Sequence, residues 1–195
     1  MSLRLLTVLL LVGTLSGCRT IKGCFSGDPK PGDPAELVEF PETVKAQKIW
    51  STDLGKGTDQ RKQQLRPAYR GGIFWAAGYK GELSAVDAAT GKKLWSIDTE
   101  LPFSGGPGLS ENLVIMGTEN GEIHAFSAET GTPQWIARVS SEVLAAPAAA
   151  EGIVVVRSID GRVFGLNEAN GRRLWVYDHS VPLLTLRGNA NPVIR

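Results

Sequence analysis

Cysteine and histidine are scarce in this sequence of 195 residues, with two of each. The two histidines, His124 and His179, are too few and too far apart for a metal cluster, and we interpret them as a solvent-facing strand residue and a loop residue. The sequence also lacks a Gly-x-Ser-x-Gly elbow and a Cys-x-x-Cys pair, so nucleophilic hydrolysis and dithiol chemistry have no recognisable parts. We therefore expect no catalytic residue, no bound metal and no cofactor.

An excess of positive charge is also missing. Lys and Arg number 21 against 20 for Asp and Glu, which gives a formal net charge of +1 and indicates no basic surface for a nucleic-acid partner. The longest apolar run, residues 5–15, is well short of the roughly 20 residues that a membrane-spanning helix requires. A short apolar run that follows Arg4 at the amino terminus is typical of an export signal.

The export signal ends in Leu15-Ser16-Gly17-Cys18, which resembles the lipobox of bacterial lipoproteins. The resemblance implies that residues 1–17 are removed as a signal peptide and that Cys18 then carries the lipid. The alternative is an ordinary secretory signal whose cleavage site lies near a cysteine. In either case we expect an exported chain in an oxidising compartment, where Cys24 is either an unpaired thiol or part of an intermolecular bridge.

Residues 18–40 contain several glycines and prolines and little periodic apolar character, which is typical of a flexible linker. In enteric lipoproteins an Asp after the lipidated cysteine retains the protein in the inner membrane. By that resemblance Arg19 points to the outer membrane. We expect residues 41–195 to form a domain that the lipid on Cys18 holds at the periplasmic face of the outer membrane.

Glycine is abundant, at 23 residues, and its spacing indicates an internal repeat. Segments 81–95, 121–135 and 161–175 align without gaps at a period of 40 residues. The period recurs at the glycines Gly81, Gly121 and Gly161, the tryptophans Trp95, Trp135 and Trp175, and the prolines Pro67, Pro107 and Pro147. Three independent landmarks in phase make coincidence implausible.

Each repeat predicts four short strands. The first lies near the proline, the second is a compact apolar run such as 113–116 or 153–156, the third alternates after a glycine turn, and the fourth carries the tryptophan. Glycine also stands at the next reversal, at Gly91, Gly131 and Gly171. Units of about 40 residues with four strands are blades of a β-propeller.

The repeat resembles that of the quinoprotein-like (PQQ-like) β-propellers, Ala-x-Asp-x-x-Thr-Gly-x-x-x-Trp, which is complete at residues 85–95. Ser127 and Asn167 replace the Asp in the second and third copies. We expect the tryptophans to lock neighbouring blades together, since one blade is too thin to bury its own faces. Because residues 48–51 look like 93–96, Trp50 predicts an isolated fourth strand ahead of the first full unit. In closed propellers such a tether strand completes the last blade and fastens the ring.

The predicted fold is therefore all-β, a partial β-propeller with an incomplete ring. It comprises a tether strand, three full blades and the start of another at residues 191–195, whereas propellers usually have four to eight blades. An open ring exposes the apolar face of its last blade and unpaired strand edges. We expect that the chain is an N-terminal portion of a longer protein or that it pairs with a second chain.

Four carboxylates could in principle meet: Asp87, Asp98, Asp160 and Asp178. Their positions follow the repeat, with two of them three residues after a repeat tryptophan. We interpret them as turn residues and soluble strand ends in preference to an acid–base pair.

The period breaks after Trp175, because Pro147 and Pro192 are 45 residues apart. The added stretch, residues 180–188, is an apolar loop that ends in Leu-x-Leu-Arg-Gly. With the lipobox, the tether and the blades, it resembles the BamB family, the lipoprotein subunits of the outer-membrane β-barrel assembly (BAM) machinery. In that family the loop docks on the POTRA domains of BamA, which implies that Leu184, Leu186 and Arg187 bind this partner here. The alternative is that the two leucines only fill the gap between blades.

The resemblance implies a non-enzymatic scaffold that works with BamA, other BAM subunits and unfolded outer-membrane proteins. In the family the second half of the propeller also contacts BamA, and this sequence contains no counterpart of that half, so the resemblance implies only part of the family's contact with BamA. The competing hypothesis is a fragment of a periplasmic quinoprotein dehydrogenase, whose repeats look similar. Such enzymes need pyrroloquinoline quinone, calcium ligands and a catalytic Asp in a closed ring, and the sequence shows no such cluster.

Overall fold

The computed structural model describes residues 43–55, 57, 65–178 and 190–194. Two units follow one another along the chain, Met1–Gln47 and Lys48–Arg195, and every strand of the described residues belongs to the second. The described residues form twelve β-strands and no helix. Nothing in them is a helix long and apolar enough to cross a membrane.

The strands form three antiparallel sheets of four consecutive strands each, which we call blades 1, 2 and 3. Blade 1 contains β1 (Ala68–Arg70), β2 (Ile73–Ala77), β3 (Glu82–Asp87) and β4 (Lys93–Asp98). Blade 2 contains β5 (Phe103–Leu109), β6 (Leu113–Thr118), β7 (Glu122–Ser127) and β8 (Pro133–Arg138). Blade 3 contains β9 (Ala148–Ala150), β10 (Ile153–Arg157), β11 (Val163–Asn167) and β12 (Arg173–Tyr177).

The turn before the fourth strand of each blade explains the repeat motif. Asp87 Oδ1 accepts hydrogen bonds from the backbone N–H and the hydroxyl of Thr90, at 2.8 and 2.6 Å. At the same repeat position, Ser127 Oγ and Asn167 Oδ1 accept backbone N–H groups at 3.3 and 3.0 Å. A short side chain whose oxygen accepts a local N–H stabilises a turn. The exchange of Asp for Ser or Asn therefore preserves the turn.

The apolar core lies between the blades. All six residues of β6 are buried, because blade 2 is covered on both faces. Val114 and Met116 pack in a cluster with blade 1, whereas Leu113 and Ile115 pack in a cluster with blade 3. Successive residues of a strand point to opposite faces, so a strand covered on both sides is apolar throughout.

The structure confirms the predicted all-β partial propeller of four-stranded blades with an incomplete ring. Two segments differ from expectation. Residues 48–51, predicted as a tether strand, are not a strand, and neither is 191–194, the described part of the predicted first strand 191–195 of another blade. A strand requires a neighbour whose backbone pairs with its own, and neither segment pairs with a strand of the described residues.

Candidate interaction surface

Three of the predicted indoles join consecutive parts of the propeller. Each donates its N–H group to a backbone carbonyl oxygen in the blade that follows it. The pairs are Trp50 with Ala88 at 2.9 Å, Trp95 with Ala128 at 3.1 Å and Trp135 with Glu168 at 2.6 Å. A buried indole N–H needs such an acceptor, so the hydrogen bond and the apolar ring act together at each junction.

The same indoles lie over the repeat glycines. The backbone φ angles of Gly91, Gly131 and Gly171 are 73°, 74° and 71°. A Cβ atom on these glycines would stand 2.7, 2.8 and 2.5 Å from the facing tryptophan ring. Glycine is therefore favoured on two grounds, the left-handed backbone and the close approach of the ring.

Trp50 also lies over a repeat glycine, although the residues around it form no strand. Its ring covers Gly91 and meets Phe74 edge-on, with 6.4 Å between the ring centroids. The segment that begins at Lys48 thus stands against blade 1 as β4 and β8 stand against blades 2 and 3. The indole contact is retained, whereas the strand predicted around it is absent.

Blade 3 has an uncovered apolar face. Within the described residues no further blade follows Trp175, and this indole is 41% exposed. Ile153, Val155 and Val163 lie on the same face, at the repeat positions that blade 2 uses to pack on blade 3, and all three are only partly buried. The incomplete ring predicts such a face. Its chemistry suits burial against another β-sheet.

One residue of this face, Gly165, is not among the residues that the repeat motif singles out. Gly165 pairs with Trp175 across β11 and β12, where blades 1 and 2 pair Ala85 with Trp95 and Ala125 with Trp135. The aligned repeats contain this difference as Ala, Ala and Gly at one column. The glycine at this column can be explained only from the structure, in which the indole of Trp175 lies against Gly165.

The carboxylates singled out by the sequence form no acid–base pair. Arg162 lies between two of them, with Nε 2.9 Å from Asp178 Oδ2 and Nη1 3.4 Å from Asp160 Oδ2. Asp98 Oδ1 accepts the backbone N–H of Glu100 at 3.3 Å. These contacts agree with the interpretation as turn residues and soluble strand ends, and the ion pairs of Arg162 are an addition that the sequence did not predict.

The pKa values agree with these contacts. Burial by itself raises the pKa of Asp160, but hydrogen bonds from Ser140 and Ser158 outweigh it, so the pKa lies below its ordinary value. Hydrogen bonds from Thr90 also lower the pKa of Asp87. Both groups are ionised at neutral pH, whereas a general acid that works there needs a raised pKa.

The expectation that His124 faces solvent is wrong. Its side chain is 9% exposed and stacks on Phe126, with ring centroids 6.3 Å apart, on the face of blade 2 that meets blade 1. Nε2 lies 3.1 Å from Glu122 Oε2. Hydrogen bonds from His124 and Arg138 lower the pKa of Glu122. Blade 1 covers His124, whereas the alternation of apolar and polar residues along β7 predicts that this side chain faces water.

Several predicted residues lie outside the described part of the chain: Cys18, Cys24, His179, Leu184, Leu186 and Arg187. Across the described ranges, no three His, Cys, Asp or Glu side chains gather as a group that could hold a metal ion.

Stacked four-stranded sheets, indole junctions and an uncovered sheet face define a repeat protein of the PQQ-like β-propeller class. A profile of the family described as outer membrane protein assembly factor BamB matches residues 79–195. The chain belongs to the BamB family.

Individual proteins agree with this placement. The chain is 40% identical over 129 residues to the outer membrane protein assembly factor BamB of Xanthomonas campestris, a match that covers 59% of this chain and 32% of that protein. The crystal structure of BamB from Moraxella catarrhalis superposes with a TM-score of 0.63 at 28% identity, over 69% of this chain and 40% of that one. The chain thus spans about a third of the length of the BamB relative from Xanthomonas.

A match of lower identity, over fewer residues, is to an enzyme. The quinoprotein alcohol dehydrogenase PedH of Pseudomonas putida is 34% identical over 94 residues, which cover 44% of this chain and 16% of that protein. Both kinds of relative share the blade repeat, so the repeat defines the fold and does not by itself distinguish the assembly factor from the enzyme.

Proposed function

We propose that this chain is a non-enzymatic scaffold of the machinery that assembles β-barrel proteins in the outer membrane. The observation that carries the proposal is the match of residues 79–195 to the family of outer membrane protein assembly factor BamB. The stacked blades supply a rigid frame, and loops on such a frame are where binding residues collect. The partners are then BamA, other BAM subunits and unfolded outer-membrane proteins.

The docking residues in this proposal are Leu184, Leu186 and Arg187, which bind the POTRA domains of BamA. They lie in the stretch that extends the proline spacing from 40 to 45 residues, so they belong to an insertion that the blade itself does not need. Two apolar side chains beside an arginine combine buried area with a planar donor fork, as is common at interface hot spots.

Alanine at all three positions is expected to weaken binding to immobilised POTRA domains by at least about a hundredfold. That factor corresponds to about 2.7 kcal/mol, which is less than the loss of two hot-spot side chains at about 2 kcal/mol each. The dissociation constant is measured by surface plasmon resonance with the full chain. The matched control replaces Leu94, Leu174 and Arg173, two leucines and an arginine that are exposed on β4 and β12. Equal binding by the docking variant and the unchanged chain would sink the proposed docking site.

The lipid anchor is the second part of the proposal, with signal peptide 1–17, linker 18–40 and propeller 41–195 as its layout. Cys18→Ser is expected to remove the chain from the membrane fraction, because a mature chain with 20 basic and 20 acidic residues has no electrostatic attraction to anionic lipid. Fractionation and radiolabelled palmitate measure the outcome. Cys24→Ser is the matched control and leaves both unchanged. A Cys18→Ser chain that stays with the outer membrane and takes up label contradicts the anchor.

A fragment of a periplasmic quinoprotein dehydrogenase is the alternative, supported by the similarity to PedH. Against it stands the shorter coverage of that match and the engagement of the carboxylates in turns and ion pairs. The chain is mixed with pyrroloquinoline quinone, calcium and ethanol, and reduction of a dye is followed. Sustained reduction above a chain-free control would replace the scaffold proposal with the enzyme.

A further inference from the structure

A groove opens between blades 1 and 2 along their outermost strands, β4 and β8. Its volume is about 500 Å³, and most of its surface is apolar. The apolar residues that line it include Ile97, Leu101, Phe126, Pro133, Trp135 and Ile136. Both walls belong to blades with all four strands in place, so the shape of the groove is set by the described junction itself.

Ile136 is the residue of this groove that the packing of the blades leaves uncovered. It stands opposite His124 in the ladder of β7 and β8, so both side chains lie on the face toward blade 1. His124 is buried, whereas Ile136 is 64% exposed. Its neighbours on that face of β8, Gln134 and Arg138, are polar. An exposed isoleucine that continues an apolar groove forms a patch, and such patches are typical of interaction sites.

One end of the groove is acidic. Asp98 lines both the groove and a second pocket of about 480 Å³, so the two are neighbours. The charged residues that also line this second pocket are Lys80, Glu82, Glu100 and Glu119. The ammonium group of Lys80 lies over the ring of Tyr79, 5.6 Å from its centroid. Carboxylates therefore outnumber cations at this end of the groove.

The strand ladder of blade 1 contributes to this excess of negative charge. Glu82 and Asp98 stand directly opposite each other in the ladder of β3 and β4. The other two blades have an ion pair at these repeat positions, Glu122 with Arg138 and Arg162 with Asp178. Like charges opposite each other disfavour strand pairing. Oε2 of Glu82 is also buried without a hydrogen-bond partner. A cation from another molecule would lower the repulsion in blade 1.

We propose that the groove between blades 1 and 2 binds an extended segment of another protein. Apolar side chains of the segment pack beside Ile136, and a Lys or Arg side chain lies at Asp98 and Glu100. An extended segment places every second side chain on one side, at intervals of roughly 6.7 Å. Alternating apolar residues followed by a basic one therefore match the groove and its acidic end, and the charge fixes the direction of the segment. The inference does not depend on the proposed function.

The first test uses the full chain and a peptide probe, Thr-Phe-Thr-Leu-Thr-Lys-Lys, labelled with fluorescein. Fluorescence anisotropy measures the dissociation constant. We expect saturable binding that weakens at least tenfold when glutamate replaces both lysines, and equally when serine replaces Phe and Leu. Equal binding of the lysine and glutamate peptides, or no saturation up to a chain concentration of 1 mM, overturns the proposal.

A variant of the apolar wall tests whether Ile136 forms part of the site. Ile136→Ser is expected to weaken binding of the lysine peptide about tenfold, because an apolar contact is lost. The matched control is Leu94→Ser, which changes a residue that is 51% exposed on β4 but does not line the groove. It should leave binding unchanged. Equal dissociation constants for the two variants would mean that the peptide does not occupy the groove.

The acidic end is tested by removing charge without changing shape. Asp98→Asn combined with Glu100→Gln is expected to weaken binding of the lysine peptide about tenfold. Glu111→Gln combined with Glu129→Gln removes the same charge from exposed positions outside both pockets and is the matched control. If the two double variants bind equally, the basic residues are not held at Asp98 and Glu100, and the proposal is wrong.

Isoleucine methyl NMR locates the bound peptide directly. The methyl resonances of Ile97 and Ile136, assigned with Ile97→Val and Ile136→Val, are expected to shift when the lysine peptide is added. The resonance of Ile153, on the uncovered face of blade 3, is expected to stay in place. Shifts at Ile153 without shifts at Ile97 and Ile136 would place the peptide on blade 3 and refute the groove as its site.

Discussion

Replacing Trp135 with alanine is expected to lower the free energy of unfolding by about 3–5 kcal/mol, the range for loss of a large aromatic side chain from a packed interior. The indole lies between blades 2 and 3, where it covers Gly171 and donates to Glu168 O at 2.6 Å. Its removal leaves a cavity between the blades and a carbonyl without its donor. Urea unfolding of the full chain, followed by circular dichroism, measures the change.

Trp175→Ala is the matched control for this prediction, because it removes the same side chain at the same repeat position. The indole is 41% exposed and no described blade covers it. We expect a smaller cost of about 1–2 kcal/mol, because a partly exposed side chain loses only part of the burial energy. Equal costs at the two positions would contradict the account of the indole as a junction between blades.

Gly171→Ala is expected to destabilise the protein by about 2–5 kcal/mol, from two contributions that add. Its φ of 71° costs an L-residue about 1–2 kcal/mol. The new methyl would also stand 2.5 Å from Trp135 Cε3, and overpacking of this kind costs about 1–3 kcal/mol. The ring is held by its hydrogen bond to Glu168 O, so it cannot move aside freely.

Gly152→Ala separates the two contributions. Gly152 has φ of 75°, close to that of Gly171, but a Cβ there meets nothing within 4 Å. We expect about 1–2 kcal/mol, the backbone cost alone. The difference between the two glycine variants measures the contact with the indole. If Gly152→Ala costs as much as Gly171→Ala, the facing ring contributes nothing to the choice of glycine.

The double variant tests whether the ring and the glycine act on each other. In Trp135→Ala the space above Gly171 is empty, so a methyl added there meets no ring. The cost of Gly171→Ala in that background should therefore fall to that of Gly152→Ala. The double variant then costs less than the sum of the single changes by about 1–3 kcal/mol, which is the size of the lost clash.

Much of the fold could be predicted from the order of residues. The 40-residue period placed the tryptophans at the same point of each blade, and the turn residues at 87, 127 and 167 behaved as their short polar side chains suggest. Turn chemistry is local, since it depends on contacts within a few residues. Repeats add to this, because one correct blade predicts the others.

Other predictions failed where burial or strand formation depends on a neighbour that is distant in the sequence. His124 alternates with apolar residues, which predicts a solvent-facing side chain, but blade 1 covers it. Residues 48–51 resemble the strand 93–96, yet they form no strand, because a ladder needs a partner and the described residues provide none. In both cases the local sequence pattern is present, but the structure of the segment depends on a neighbouring strand or blade that the pattern does not specify.

The sequence alone determined the number of complete blades, their period, the turns that separate their strands and the indoles that join them. These features depend on spacing and on short-range backbone chemistry. Only the tertiary structure decided which face of each blade is covered, that Trp50 contacts blade 1 without a strand around it, and that the ring of Trp175 rests on Gly165. Whether a side chain is buried depends on which other part of the chain packs against it, and the sequence of a single strand does not specify that part.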